Sequence, residues 1–322
     1  MSKKDKVVRS SSGTEIRKKP LSLRIWNNRG YYLMFLPVLI FVLIIYYWPM
    51  LGIRWAFYDY KPVGAKVFVG LKHFQTMFST PAFKTAFFNT LELSIMKLLI
   101  TTFTAVIVSV FLNEMGNLFA KKTLQTIIYL PHFMSWAVVA SIFSLFLSPS
   151  ATGLVNNILL DMGVFDSSKE FIYFLANKAW WRPIFYLINI WKETGWGTII
   201  FLATLSGINP ELYEAADIDG ASRLQKIRFV TLPALANTII IVLILNLAKV
   251  MNMFESVFVL YNNAVYDVSD VISTYIYRQT FAIALPNYGY STAVGLFKSL
   301  VGCVLVIICN YASKKVRGRG II

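Results

Sequence analysis

Glu214-Ala215-Ala216-Asp217-Ile218-Asp219-Gly220-Ala221 lies in a polar segment between two long apolar runs. The surrounding stretch, Asn209 to Pro233, reads NPELYEAADIDGASRLQKIRFVTLP. Asn209 is placed to cap a helix, with Pro210 at its first position and Glu211 in the first turn, where a carboxylate favours the helix dipole. Glu214 to Asp217 continue that helix, and Gly220 provides a left-handed stop. Ser222 and Gln225 have the S-x-x-Q spacing of a capping box for a second helix. Arg223, Lys226 and Arg228 lie on that second helix, and Leu232-Pro233 leads into the next apolar run. The expectation is two short helices at an angle. Small alanines allow close backbone approach by a protein partner, and the carboxylates can pair with its basic residues.

Working outward, the chain has 322 residues, 57% of them hydrophobic, and a mean hydropathy of +0.59. Soluble domains run at about 45–50% apolar, and a bilayer crossing takes about 20 apolar residues in a row. Only helices or closed barrels satisfy their backbone within lipid. The expected fold is therefore an all-α integral membrane protein with about six spans. They are placed near Tyr32–Ile53, Ala86–Leu112, Thr123–Leu147, Pro183–Ser206, Ala234–Phe258 and Ser291–Tyr311. The second and fifth carry internal charges and are kept because the distribution of cations requires them.

Lys and Arg collect in four segments. These are the tail 1–30, the turn at Lys121-Lys122, the 207–233 loop and the C-terminus from Lys314 to Arg319. Six spans put all four on one side, which the positive-inside rule makes the cytoplasm. Both termini are then expected there, with residues 31–322 as the membrane domain and the loops Trp55–Thr85, Ser148–Arg182 and Val259–Tyr290 outside. The net charge of +15 reads as a topology signal and an attraction to anionic lipid, not as a nucleic-acid surface, since the cations are split among tails and loops. The first apolar run is of full span length without a small-residue cleavage site, so it is expected to stay as a span.

Enzymatic chemistry finds little support. His73 and His132 are isolated, Cys303 and Cys309 share the sixth span, and no H-E-x-x-H, G-x-S-x-G or G-x-x-x-x-G-K-[ST] pattern occurs. If ATP drives this chain, the nucleotide site is on another polypeptide.

The 209–233 segment resembles the EAA loop of the permease subunits of binding-protein-dependent ABC importers. The match is carried by Glu214, Ala215, Ala216, Asp219, Gly220, Ala221 and the Leu232-Pro233 exit, with Asp217 inside it; Val230 stands where the family often has isoleucine. The blocks NRGYYLMFLPVLIFVLIIYYWPMLGI from Asn28, YLPHFMSWAVVASI from Tyr129 and WKETGWGTIIFLATLSGINPELYEAADIDGA from Trp191 resemble the carbohydrate class of these permeases. Within it they are similar to importers of polysaccharides and complex oligosaccharides, alginate and aldouronate among them. The resemblance implies the type I importer fold and alternating access in a bacterial inner membrane. It implies a second homologous permease, a pair of ATPase subunits carrying ATP and magnesium, and an extracytoplasmic solute-binding protein. It places ATPase coupling on Glu214, Asp219 and Gly220. This chain itself needs no cofactor.

Charges inside the spans are Glu92, Lys97, Lys192, Glu193, Lys249, Glu255 and Lys298. Lone charges in a bilayer are costly, so each is expected to face protein or water. They either pair internally or with a partner, or line a polar route suited to an anionic saccharide such as a uronate oligomer. Asn189, Trp191, Trp196, Asn246, Asn252 and Phe254 add amides and rings of the kind that bind sugars, although helix packing and interfacial belts also use such residues. A neutral oligosaccharide remains an alternative substrate. A permease-fold regulatory protein and an ion-driven secondary transporter are the rival classes. The loop 148–182 holds an apolar stretch, Leu154–Val164, and Trp180-Trp181; these suit an interfacial helix or a binding-protein dock.

Overall fold

The computed structural model describes residues 8–9, 15–16, 21–62, 64 and 66–317. The cations Lys3, Lys4, Lys6, Arg17, Lys18, Lys19 and Arg319 of the expected tails lie outside the described residues. The chain falls into two compact units, residues 1–54 and 55–322.

The first unit carries a two-residue antiparallel pairing, Val8–Arg9 with Glu15–Ile16, a short helix Leu21–Asn27 and most of α1, Arg29–Phe57. No residue of α1 from Arg29 to Met50 is buried. A wide turn at Leu43–Tyr47 precedes Pro49. Proline cannot donate to the carbonyl four residues back and crowds it, and a wide turn relieves both problems.

The second unit is built on four long helices and a bent pair. These are α2 (Pro81–Asn113), the pair α3 and α4 (Leu118–Phe133 and Trp136–Phe146), α5 (Lys178–Leu205), α7 (Arg223–Leu247) and α9 (Tyr288–Arg317). Between them lie α6 (Glu211–Ile218) and α8 (Ile272–Phe281). Helices α1, α2, α7 and α9 are each long and apolar enough to cross a membrane, and the bent pair makes a fifth crossing if it acts as one span. At about 1.5 Å per residue the 28-residue α5 reaches about 42 Å, enough for the roughly 30 Å hydrocarbon core. Its charges, Lys178, Arg182, Lys192 and Glu193, hold it below the apolar standard the other four meet.

Three expectations change. The third span is bent by 101° between Phe133 and Trp136. The fifth span ends at Leu247, not Phe258; Glu255–Phe258 is a separate short helix. The second helix of the 209–233 loop does not stand alone at an angle. It runs through a wide turn at Ile227–Thr231 into the fifth span as α7, and that turn relieves Pro233 as the earlier one relieves Pro49.

The core sits around α5. Trp181, Ile184, Phe185 and Ile188 on one stripe of α5 pack with Leu93, Val139, Val257 and Val265. Trp181, expected in an outer loop, is buried within α5, and its indole N–H donates to the Leu260 carbonyl at 3.0 Å. The apolar stretch from Leu154 does form a short helix, Leu154–Asp161. The segment 266–278 is bolted onto α2 and α5. Asn89 Nδ2 donates to the carbonyls of Asp267 and Asp270, both at 3.1 Å. Arg182 pairs with Glu92 and donates to Val268 O at 3.1 Å and Asn89 Oδ1 at 2.8 Å. Arg278 grips Asp270 through both terminal nitrogens, at 3.1 and 2.5 Å. Lys178, hydrogen-bonded to Asp267 at 2.6 Å, holds that carboxyl below its ordinary range.

Candidate functional site

Two sites emerge, one local and one assembled. The local one is the segment from Asn209 to Thr231. Asn209 Oδ1 accepts from the Glu211 N–H at 3.2 Å and so caps α6. The helix ends in a Schellman arrangement: Ala221 N–H reaches Ala216 O at 2.9 Å and Gly220 N–H reaches Asp217 O at 3.1 Å. Gly220 has φ +72°, a backbone that costs a side-chain-bearing residue about 1–2 kcal/mol. Ser222 and Gln225 form the expected capping box.

Two contacts not foreseen from the sequence fold α6 back onto α7. Lys226 Nζ meets Asp217 Oδ1 at 2.7 Å, so Asp217 is engaged within the loop. The Tyr213 hydroxyl meets that of buried Thr231 at 3.0 Å. Glu214, Ala215, Asp219 and Gly220 are exposed, whereas Ala216 and Ala221 are half-buried. Ile218 is 87% exposed and Leu224 75%, which gives this surface apolar contacts as well as carboxylates.

The second site is a cavity of about 600 Å³ bounded by α2, α5 and the end of α7. Asn246, Lys249 and Asn252, three residues apart, line it together. α7 ends at Leu247 and continues as tight turns through Val250–Asn252, where residues three apart eclipse. Ser94 Oγ donates to the Val250 carbonyl at 2.7 Å and pins this non-helical stretch to α2. Lys97, Thr101 and Thr102 enter from α2, and Glu193 and Trp196 from α5. Among the residues lining the cavity, Glu193 is the only carboxylate.

The break between α3 and α4 abuts this wall. Ser135 caps α4 by accepting from Val138 N–H at 3.3 Å. The interruption orphans carbonyls, and Lys192 Nζ donates to two of them, His132 O and Met134 O, each at 2.8 Å. The approach of α5 to α3 depends on Gly195, where a Cβ would sit 2.1 Å from the Ile128 carbonyl oxygen. His132 Nδ1 lies 3.1 Å from Glu193 Oε2, and its ring stacks on Trp196 at 4.7 Å and 9°.

Of the charges, amides and rings expected along a polar route, Lys97, Glu193, Trp196, Asn246, Lys249 and Asn252 converge on the cavity. The others lie elsewhere. Asn189 is buried with its amide nitrogen on Phe185 O at 2.7 Å. Trp191 packs edge-on against Phe143 at 5.5 Å. Lys192 is buried at the helix break. Glu255 opens the Glu255–Phe258 helix and is exposed. Lys298 Nζ donates to Ser273 Oγ at 3.0 Å. Ser94, Thr101 and Thr102 join the wall without having been singled out as path residues. Their threonine and serine spacing carries no signal distinct from ordinary helix packing.

Comparisons with known proteins place this arrangement. Residues 105–318 match the family described as "Binding-protein-dependent transport system inner membrane component". The polygalacturonan/rhamnogalacturonan transport system permease protein YteP of Bacillus subtilis (strain 168) is 39% identical over 95% of this chain and 94% of that protein. The arabinooligosaccharides transport system permease protein AraP of the same organism is 29% identical over 90% of each. A chain of the crystal structure of a bacterial alginate ABC transporter in complex with an alginate pentasaccharide-bound periplasmic protein superposes with a TM-score of 0.84. It is 38% identical and covers 94% of this chain and 100% of that one. A matched family model over most of the chain, relatives aligned nearly end to end and a shared helical architecture lead to one assignment: this chain belongs to the family of binding-protein-dependent ABC transport permeases, multi-pass proteins of the membrane.

Proposed function

We propose that this permease passes acidic oligo- or polysaccharides through the cavity between α2, α5 and α7, driven by ATP hydrolysis on partner subunits. The observation that carries this reading is the cavity wall. Lys97 and Lys249 face it together with amides, hydroxyls and the Trp196 ring, and no carboxylate among the described residues lies within ion-pairing distance of either lysine. A sugar chain needs flat apolar surface for its C–H faces and polar groups for its hydroxyls; a uronate adds a carboxylate that unpaired ammonium groups attract. The relatives named for polygalacturonan and alginate agree with that chemistry.

In this reading Asn209–Thr231 is cytoplasmic, as are both termini. α6 docks on an ATPase subunit through Glu214, Asp219, Ile218 and the small alanines, while Ala215, Ala216, Gly220 and Ala221 permit close approach. ATP and magnesium bind on those partners. Because α7 is one continuous helix from Arg223 to Leu247, a push on the loop travels to Asn246 at its far end, and Lys249 follows in the turn just beyond it. A second homologous permease completes the path, and an extracytoplasmic binding protein delivers substrate in the alternating-access cycle.

The test is ATPase activity of the complete transporter in proteoliposomes, with binding protein and matched neutral and uronate oligosaccharides. Stimulation by uronates, with KM raised about tenfold in Lys249→Gln and stimulation abolished in Gly220→Val, is the expected result. Equal stimulation by both sugar classes overturns the acidic-substrate reading. Full stimulation in Gly220→Val overturns the coupling role.

A further inference from the structure

The lone carboxylate of the cavity wall is held in an unusual way. Glu193 stands on α5 beside Lys192 and shares the cavity wall with Lys97. In a medium of low dielectric a free carboxylate would pair with the nearest available ammonium. Lys192 is already spent on two carbonyls, which leaves Lys97 and Lys249 as the ammonium groups on the cavity wall. Yet Glu193 points at His132, 3.1 Å away, and neither Lys97 nor Lys249 has a carboxylate partner among the described residues.

His132 is fixed on three sides. Its ring stacks on Trp196, its Nδ1 faces Glu193, and its carbonyl receives Lys192. An imidazole facing a carboxylate through Nδ1 carries its proton there and donates it. Resting on the reading of the cavity as the substrate path, we propose that His132 is a positioning residue. It holds the Glu193 carboxylate off the cavity lysines, so that Lys97 and Lys249 meet the translocated saccharide as unpaired cations.

The experiment compares wild type, His132→Ala, Glu193→Gln, the double variant and His132→Asn in the assembled transporter in nanodiscs. An anionic amine-reactive reagent labels lysines, and peptide mass spectrometry reads Lys97. Labelling of Lys97 is expected to fall several-fold in His132→Ala, where Glu193 is free to pair with it, and to recover in His132→Ala/Glu193→Gln. His132→Asn keeps an N–H donor and should stay near wild type. In parallel, KM for an acidic oligosaccharide should rise about tenfold in His132→Ala with kcat within about a factor of two. The double variant should reverse that rise.

A His132→Ala defect that Glu193→Gln does not rescue, or unchanged Lys97 labelling in a folded His132→Ala complex, overturns the proposal. If labelling shifts as expected while no variant distinguishes acidic from neutral sugars, the positioning role stands and the acidic-substrate reading falls.

Discussion

The Asn209–Thr231 segment closes on itself through contacts 9 and 18 residues apart, Lys226 to Asp217 and Tyr213 to Thr231. The cavity is held by contacts of 60, 61 and 156 residues, Lys192 to His132, His132 to Glu193 and Ser94 to Val250. One region therefore keeps its shape largely independently of the rest of the bundle. The other exists only while α2, α3, α5 and the end of α7 are correctly packed. Under the function proposed above, a lever that transmits force benefits from the first design, and a cavity that opens and closes benefits from the second. Damage should separate accordingly: cavity-region changes should cost stability and function together, and loop changes should cost function first.

The largest effect is expected at the helix crossing behind the cavity. Gly195→Val puts a side chain into the Ile128 backbone, 2.1 Å from its carbonyl oxygen. The loss should be about 3 kcal/mol, seen as a clear drop in the thermal unfolding midpoint of the purified complex. Normal stability would mean that α3 and α5 do not approach so closely, and the contrast between the two regions would lose its main support.

Next comes Lys192→Met. It removes a buried charge but orphans the carbonyls of His132 and Met134. A net loss of about 2 kcal/mol follows, and the His132–Glu193–Trp196 group should loosen with it. The readouts are the unfolding midpoint and quenching of Trp196 fluorescence in a background with the other tryptophans replaced. A more stable Lys192→Met would show that the bend at Phe133–Trp136 can be satisfied without the lysine.

The smallest effect sharpens the comparison from the other side. Tyr213→Phe deletes the hydroxyl contact with Thr231. It should cost about 1 kcal/mol locally and leave the unfolding midpoint of the complex within experimental error, while faster amide exchange appears in Glu211–Ile218. A global loss of stability here would mean that the loop is part of the cooperative core.

Much of the local segment was legible because its determinants sit within a few residues of one another. The Asn209 cap, the Ser222–Gln225 capping box and the left-handed Gly220 all follow from short-range backbone chemistry. Its misreading was the relation of the second helix to the fifth span. Pro233 signals a helix start, and only the wide turn at Ile227–Thr231 lets the helix run through it. Tyr213, Thr231 and Lys226 carried no sequence signal, because their pairing depends on how α6 folds back onto α7.

For the cavity, sequence alone established that seven charges in apolar runs needed partners or water, and little about which of the two each would find. Lys97 and Lys249 look no different in sequence from Lys192 and Lys298. The packing separates them: Lys192 is captured by carbonyls that a bend in α3–α4 exposes, Lys298 reaches Ser273, and the other two face open volume. Sequence determined the membrane class, the approximate spans and the caps of the 209–231 segment, since hydropathy, flanking charge and capping are additive along the chain. The fate of each buried charge was decided by tertiary structure alone, because desolvation is relieved by whichever polar group the fold brings within about 3 Å.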